Sequence, residues 1–520
     1  MGDVRMAITA PPGRPNVQPR LPSARAQQAE ALRFRRAFVL LLATLLLPGF
    51  AQFIAGNRML GRVVMQIWAA LVAIVALVAW LVPLDTLAGL VVRPWLLTTF
   101  KVLAFGIALG WIALLIDAWR LGDPPRLARK HRLAMLGATL GLVALVATPF
   151  WMAVQYASAA HEAVVTLFPS GSVAAASDGR LNILLLGSDA EKGRVGARPD
   201  SINLVSVDVR TGAPVVISVP RNLERARFPK GTAAAAEFPD GFTGDGDREG
   251  WMINATWTFG AEHPELFPDA EDSGIKAVMQ AVEGTVGLPV HYYVIVDMAG
   301  FSELIDAVGG VTIRVEDELP IGDTERVVEA GLRKLNGYEA LWYARSRTGT
   351  NDYDRMARQR CVLGAIAREL DPGTVLQNFT ALADASTGMV TTNIPQEQLP
   401  ELVDVAWKSK SLPITSVQLV PPLIVPADPD FGVISDEVDA ALENARVAAR
   451  DAASDTAEAQ KATDGSSGGG SSESDASGES EASGGSQASS GSEESSGSEA
   501  SADEAAADPT AEIANVCSYE

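Results

Sequence analysis

The sequence predicts an α/β fold for residues 179–445, a sheet covered by helices on both faces. It is set behind a helical, multi-span membrane region and followed by a disordered acidic tail. Three observations carry this reading. Short β-branched runs alternate with stretches of helical periodicity across those residues, as strands separated by helices do. Four apolar runs precede them, at 37–55, 63–82, 99–118 and 133–153, each close to the ~20 residues that cross a bilayer. From about 451 to 512 the chain is Ser, Gly, Glu, Asp and Ala with almost no large apolar side chain, so it has no core to bury.

The segments follow in order. Residues 1–36 are rich in Pro, Arg, Gln and Ala and read as a disordered cytoplasmic tail. Residues 37–153 form the membrane region, 154–178 a spacer, 179–445 the globular domain, and 446–520 the acidic tail that ends near Cys517. The apolar runs do not resemble a cleaved signal peptide, because there are several and none has a small-residue cleavage site. Arg120, Arg126, Arg129, Lys130 and Arg132 place the loop before the last run on the cytoplasmic side. The last run then exits, and the domain behind it lies outside. Arg33, Arg35 and Arg36 before the first run, and Arg58 and Arg62 after it, are also inside signals. Both hold if the first run, broken by Pro48-Gly49, is a re-entrant or interfacial hairpin and three runs cross. Four crossings with an outside N-terminus is the alternative, and it too leaves the domain outside.

The net charge of -21 is unevenly spread. Residues 1–150 carry 16 Lys and Arg against 5 Asp and Glu, whereas residues 451–520 carry 16 acidic residues and one lysine, Lys461. The middle is therefore acidic, which argues against a nucleic-acid binder. Any phosphate ligand must be met by a local arginine cluster. The four histidines (His131, His161, His263, His291) are scattered and, with two cysteines, give no zinc spacing and no supported nucleophile triad.

Within the domain, 182–186 is a short continuous apolar run that suits a buried strand. Further strands are predicted at 201–209, 215–219, 292–296 and 311–315. Helices are predicted at 273–286, 298–308, 336–345, 353–370, 374–385 and 395–408. Asn336 and Glu339 have the spacing of a capping box.

Four clusters carry the chemistry. Asp189 follows the first strand, at the edge where α/β sheets bind ligands, though a turn aspartate would sit there too. Arg198-Pro199-Asp200-Ser201 opens the second strand; its carboxylate can face Asp189 and share Mg²⁺ with a pyrophosphate. Arg221, after Pro220 at the end of the third strand, is placed for bidentate contact with an oxyanion; a surface arginine is the plainer reading. The fourth cluster is the most informative. Arg345 and Arg347 lie two apart in an extended segment and share a face. Arg355, Gln359, Val362 and Ile366 then form one helical stripe. The lower part of that stripe is core, so Arg355 and Gln359 face inward, and Arg358 joins their rim. Buried guanidinium groups require anions; Asp352 and Asp354 supply some pairing and a pyrophosphate would supply more.

These motifs resemble, in their order, the LytR-CpsA-Psr family. The matching segments are NILLLGSD at 182–189, RPDS at 198–201, the strand, Pro and Arg at 216–221, YYVIVDMAGFSELIDAVGGV at 292–311, LNGYEALWYARSR at 335–347 and DYDRMARQR at 352–360. The resemblance covers roughly residues 180–390. It implies a three-layer α-β-α domain outside the membrane. It implies a phosphotransferase that moves a glycopolymer from a polyprenyl-pyrophosphate carrier to peptidoglycan. It implies Mg²⁺ at Asp189 and Asp200, and pyrophosphate contacts from Arg198, Arg221, Arg345, Arg347, Arg355 and Arg358 with Gln359 alongside. Asp200 or Asp189 would serve as the base. The polyprenyl tail would enter an apolar tunnel for which Phe301, Leu304 and Ile305 are lining candidates; plain core is equally compatible with them. Family members often read Pro-Arg-Asp where this chain reads Pro-Arg-Asn, so a role assigned to that carboxylate does not transfer to Asn222. A pyrophosphatase acting on the same carrier and a membrane-anchored envelope sensor are the competing readings. The short cytoplasmic segments, which hold no effector domain, weigh against the sensor. Outside the membrane, Cys361 and Cys517 are expected to form a disulfide that returns the C-terminus to the domain; a buried free Cys361 and an unpaired tail thiol is the other reading.

Overall fold

The structure is a computed structural model of the 520-residue chain. It describes residues 24–82, 93–188, 198–268, 270–322, 324, 326–348, 351–369, 390–466, 510–512 and 517. The chain divides into two compact units, Met1–Pro83 with Thr99–Ala157, and Leu84–Thr98 with Ser158–Glu520.

Helices α1 (Ala24–Leu46), α2 (Phe50–Ala55), α3 (Arg58–Leu81), α4 (Pro94–Leu121) and α5 (Arg129–Leu167) make up the N-terminal part. Among the described residues three stretches are long and apolar enough to cross a membrane: Arg58–Leu81, Pro94–Arg126 and Arg129–Leu167. Ile67, Trp80, Val102 and Leu145 are all exposed, as on helices whose apolar surface faces lipid. The first apolar run is broken where Pro48-Gly49 predicts it. Gly49 sits at φ 93°, a conformation that favours glycine, between α1 and α2. At Gly61 a Cβ would come within 2.3 Å of the Phe53 nitrogen, so α2 and α3 touch backbone to backbone there. Helix α1 begins well before residue 37, inside the stretch whose composition reads as disordered. Ala, Gln, Glu and Arg in that stretch are strong helix formers, and Phe34, Ala37 and Leu41 give the helix an apolar foothold in one cluster with Ala51 and Met135. Helix α5 likewise runs through the first half of the expected spacer.

In the second unit β1 (Arg180–Ser188), β2 (Pro199–Asp208), β3 (Pro214–Val219), β4 (Tyr292–Asp297), β9 (Val390–Thr392), β10 (Thr415–Gln418) and β11 (Thr510–Glu512) form one mixed sheet in the order β11-β10-β3-β2-β1-β4-β9. β1 is parallel to β4 and β3 to β10, and the other neighbours are antiparallel. The carboxyl ends of β1, β3, β4 and β10 therefore share an edge with the start of β2. Strand β5 (Val311–Val315), predicted within the alternation, instead pairs with β8 (Gly331–Leu335) in a separate ribbon, and β6 (Leu319–Pro320) pairs with β7 (Val327–Val328).

Short helices α6 (Ala233–Glu237) and α7 (Thr256–Glu262) precede α8 (Ser273–Val286) and α9 (Met298–Ala307). Then come α10 (Gly337–Arg345), α11 (Asp352–Glu369), α12 (Leu399–Ser409) and α13 (Phe431–Ser466). Alternate residues of the central strands (Leu184, Leu186, Ile202, Leu204, Ile217, Val417) pack with Val278 and Val282 of α8 and Ile434, Val438 and Leu442 of α13. On the opposite face, Arg360 of α11, 1% exposed, donates to the Ser416 hydroxyl of β10 at 3.1 Å. A second core holds Ile305, Val311, Ile313, Tyr343, Val362 and Ala365 together. The capping box at Asn336 and Glu339 forms as its spacing predicts. The helix predicted at 374–385 lies outside the described residues.

Three features fall inside the stretch read as tail, one of them β11, which pairs with β10. Helix α13 continues past residue 445, with Ala445 and Ala449 buried. Low hydropathy does not prevent this, because alanine both favours helix and fits a close-packed stripe. Cys517 is buried and bonded to Cys361 of α11, with a Cα–Cα separation of 5.5 Å. The bond spans 156 residues of chain. Cys361→Ser is therefore expected to lower stability by about 2–4 kcal/mol, read as a lower melting temperature of the purified protein. Peptide mapping without reduction should recover the Cys361 and Cys517 peptides as one species, and two separate thiols would contradict the pairing.

Candidate active site

The site lies at the shared strand edge. Strand β3 ends at Val219, and Pro220 passes the chain out of the sheet, which leaves Arg221 beside the first residues of β2. Arg221 donates through Nη1 to Asp200 Oδ1 at 2.6 Å. Both side chains are about one-third exposed, at 31% and 35%. Two residues of the sheet edge are thus paired before any helix contributes.

Helix α11 supplies the rest. Asn351 precedes it and accepts from the backbone nitrogens of Tyr353 and Asp354 at 2.8 and 2.9 Å, while Asp354 Oδ2 accepts from the Asn351 nitrogen at 2.9 Å. This reciprocal cap sets the first turn, from which Asp352 and Arg355 project. The Arg355 side chain is 3% exposed. It donates to the Asp200 carbonyl at 3.1 Å and, through Nε and Nη2, to Asp352 Oδ1 at 3.2 and 3.1 Å. Burial lowers its pKa from the ordinary arginine value, and the Asp352 charge opposes that shift. The helical stripe thus points inward as its spacing predicts, with Gln359 half-buried and Val362 buried below Arg355.

Asp352 is the junction of the site. Its Oδ1 is 3.1 Å from Arg355 Nη2, 3.2 Å from Arg347 Nε and 3.8 Å from Arg221 Nε. Three guanidinium groups from three segments (the end of β3, the link between α10 and α11, and α11 itself) thus converge on one carboxylate oxygen. Among the described residues they share two carboxylates, Asp352 and Asp200, against three guanidiniums. In the sequence Asp352 stands out only as a pairing partner for nearby arginines; its place at the junction depends on how three separate segments meet.

The other predicted residues fall around this core. Arg358 donates through Nε to the Tyr343 carbonyl at 2.8 Å and through Nη2 to the Ser346 carbonyl, and Gln359 donates to the Ala344 carbonyl at 3.2 Å. Both brace the end of α10 and the segment carrying Arg345 and Arg347. Burial lowers the Arg358 pKa and pushes that of Tyr343 up to about 12. Arg345 is exposed, with its guanidinium 5.8 Å from the Trp342 ring centre. Arg198 is also exposed and donates to the Glu249 carbonyl at 3.3 Å. Asp189 lies outside the described residues. Ile305 is fully buried in the second core, while Phe301 and Leu304 are half-buried. The Ser346 hydroxyl, missed by the sequence reading, is buried between Arg345 and Arg347 with no hydrogen-bond partner, and so is Asn222 Oδ1 beside Arg221.

Asp200, Ser201, Asn203, Ser218, Arg221, Met356 and Gln359 line a cleft here with only ≈ 10 Å³ of open space, about the room of one water. A larger cavity of ≈ 620 Å³ sits at the other edge of the sheet, among Asp178, Asp208, Arg210, Glu443, Arg446 and Arg450. Asp200 and Arg221 border the small cleft, which joins it to the arginine cluster. Among the described residues no three His, Cys, Asp or Glu side chains gather as a metal cage. Mg²⁺ needs only one or two carboxylates when phosphate oxygens and water complete its shell, so Asp200 fits such a site.

The family model described as LytR_cpsA_psr family matches residues 150–425, more than half of the chain. Curated relatives named polyisoprenyl-teichoic acid–peptidoglycan teichoic acid transferase TagU include those of Bacillus cereus, 29% identical over 224 residues, and Oceanobacillus iheyensis, 29% identical over 225 residues. These alignments cover 42% and 43% of this chain and 62% of each relative, so the chain spans less than two thirds of their length. Among solved structures, Bacillus subtilis TagV is 25% identical, with 52% of this chain and 98% of TagV covered and a TM-score of 0.38. TagT bound to LIIa-WTA is 21% identical, with 53% and 94% covered and a TM-score of 0.38. With that match over the residues that build both the sheet edge and its arginines, the chain belongs to the LytR-CpsA-Psr family.

Proposed function

We propose that this protein is a membrane-anchored phosphotransferase that moves a glycopolymer from a polyprenyl-pyrophosphate carrier to peptidoglycan, with its domain outside the membrane. The observation that carries the reading is the convergence of Arg221, Arg347 and Arg355 at the sheet edge. Family membership and the activity named for the TagU relatives support it. The loop charges and the three long apolar helices support the anchored, outward-facing arrangement.

In the proposed reaction an acceptor hydroxyl of peptidoglycan attacks the phosphorus that bears the glycan. A new P–O bond forms, the bond to the bridging oxygen breaks, and polyprenyl phosphate leaves. Negative charge grows on that bridging oxygen, and Arg221, Arg347 and Arg355 would stabilise it there. Asp200 or Asp189 would take the hydroxyl proton. Positioning and charge stabilisation carry most of such a transfer. Mg²⁺, held by Asp200 and Asp189, would neutralise phosphate charge when bound. The half-buried Phe301 and Leu304, unlike Ile305, are available to a polyprenyl tail. Arg198 and Arg345, both exposed, would reach the phosphates or the first sugars from the rim.

Arg221→Ala is expected to abolish glycan transfer while the protein stays folded. The assay offers the full chain a polyprenyl-pyrophosphate glycan with and without peptidoglycan. Phosphate release independent of acceptor, with no glycan on peptidoglycan, would replace the transferase with a pyrophosphatase. Arg355→Met should also lower stability, by about 3 kcal/mol, because it leaves Asp352 and the Asp200 carbonyl short of a buried partner. Arg198→Ala, at an exposed position, should stay within about 0.5 kcal/mol of the parent; chemical denaturation compares the two.

A further inference from the structure

We infer that Asp352 is an internal anion that occupies the arginine site in the free enzyme and excludes small free phosphates from it. The inference rests on reading this cluster as the pyrophosphate site. Three distances carry it: one oxygen of Asp352 lies 3.1, 3.2 and 3.8 Å from Arg355, Arg347 and Arg221. A carboxylate that gathers three guanidiniums on one atom stands where an oxyanion would stand. An incoming pyrophosphate has to take these donors from Asp352 or share them with it.

The partners of each arginine show how that exchange works. Arg355 is 3% exposed and also holds the Asp200 carbonyl, so it stays in place. Arg221 keeps its 2.6 Å bond to Asp200 when the longer contact to Asp352 is lost. Arg347 is 45% exposed and sits on a link between helices, which makes it the arm that can turn from Asp352 to a ligand. A substrate with a long apolar tail and a glycan brings binding energy from outside the cluster with which to displace the carboxylate. Inorganic phosphate and pyrophosphate bring none. Asp352 therefore acts as a specificity-determining residue: it sets a threshold that only the large carrier passes.

The test titrates inorganic pyrophosphate into the full chain in detergent micelles, in magnesium-free buffer, by calorimetry. Asp352→Asn is expected to bind pyrophosphate about tenfold or more tightly than the parent, the effect of freeing donors from a charged partner. Glu329→Gln, which removes an exposed carboxylate paired with Arg333 outside the cluster, should bind as the parent does. Unchanged or weaker binding by Asp352→Asn would overturn the inference, because a purely structural aspartate would loosen the cluster. If Asp352→Asn does not fold in plain buffer, preparation in millimolar pyrophosphate should recover it; failure to recover would equally count against the proposal. Transfer by the parent with no gain in the variant would sink this inference and leave the function standing. A gain in the variant without transfer by the parent would do the reverse.

Discussion

The burial of one guanidinium governs this structure. Arg355 has almost no contact with solvent, and an arginine cannot escape that cost by losing its proton at any ordinary pH. It must therefore find anions and acceptors within the fold. Asp352, one turn before it on the same helix, and the Asp200 carbonyl of β2 supply them. Because one acceptor is on the helix and the other on the sheet, the need to satisfy Arg355 fixes where the helix lies on the strand edge. Asp200, so placed, takes Arg221, and Asp352 takes Arg347.

Several contacts keep α11 where this requires. Arg360 bonds to Ser416 on the strand that runs beside β3, Arg358 and Gln359 hold carbonyls at the end of α10, and Cys361 is bonded to the end of the chain. Successive residues of one helix thus serve the charge cluster, the neighbouring helix, the sheet and the disulfide. The acidic balance of the middle of the chain is compatible with this, because Arg221, Arg347 and Arg355 are gathered by geometry rather than by overall charge.

Much of this was legible from residue patterns, and the reasons differ between elements. The apolar run at 182–186 and the β-branched runs near it are long enough to stand out as strands. The stripe Arg355, Gln359, Val362 and Ile366 declares its own direction, since its lower half is core. Strands β8 and β10 were not legible: GLRKL and TSVQ are short, polar and weakly patterned, and pairing alone makes them strands. The two-residue and three-residue strands offer no period at all. Helix α13 was not predicted, because composition counts alanine as weak in hydropathy, while packing uses it. Asp352 was visible as a carboxylate near arginines, but its meeting with Arg221 joins residues far apart in the chain. No local pattern encodes that meeting.

The central claim is that the pyrophosphate of a lipid-linked glycan sits among Arg221, Arg347 and Arg355. The most direct measurement is an experimental structure of the full chain with a polyprenyl-pyrophosphate glycan bound. Phosphate oxygens within hydrogen-bond distance of all three guanidiniums, with Arg347 turned away from Asp352, is the result expected. Pyrophosphate seated elsewhere on the domain, with Asp352 still holding the three arginines, would contradict the account.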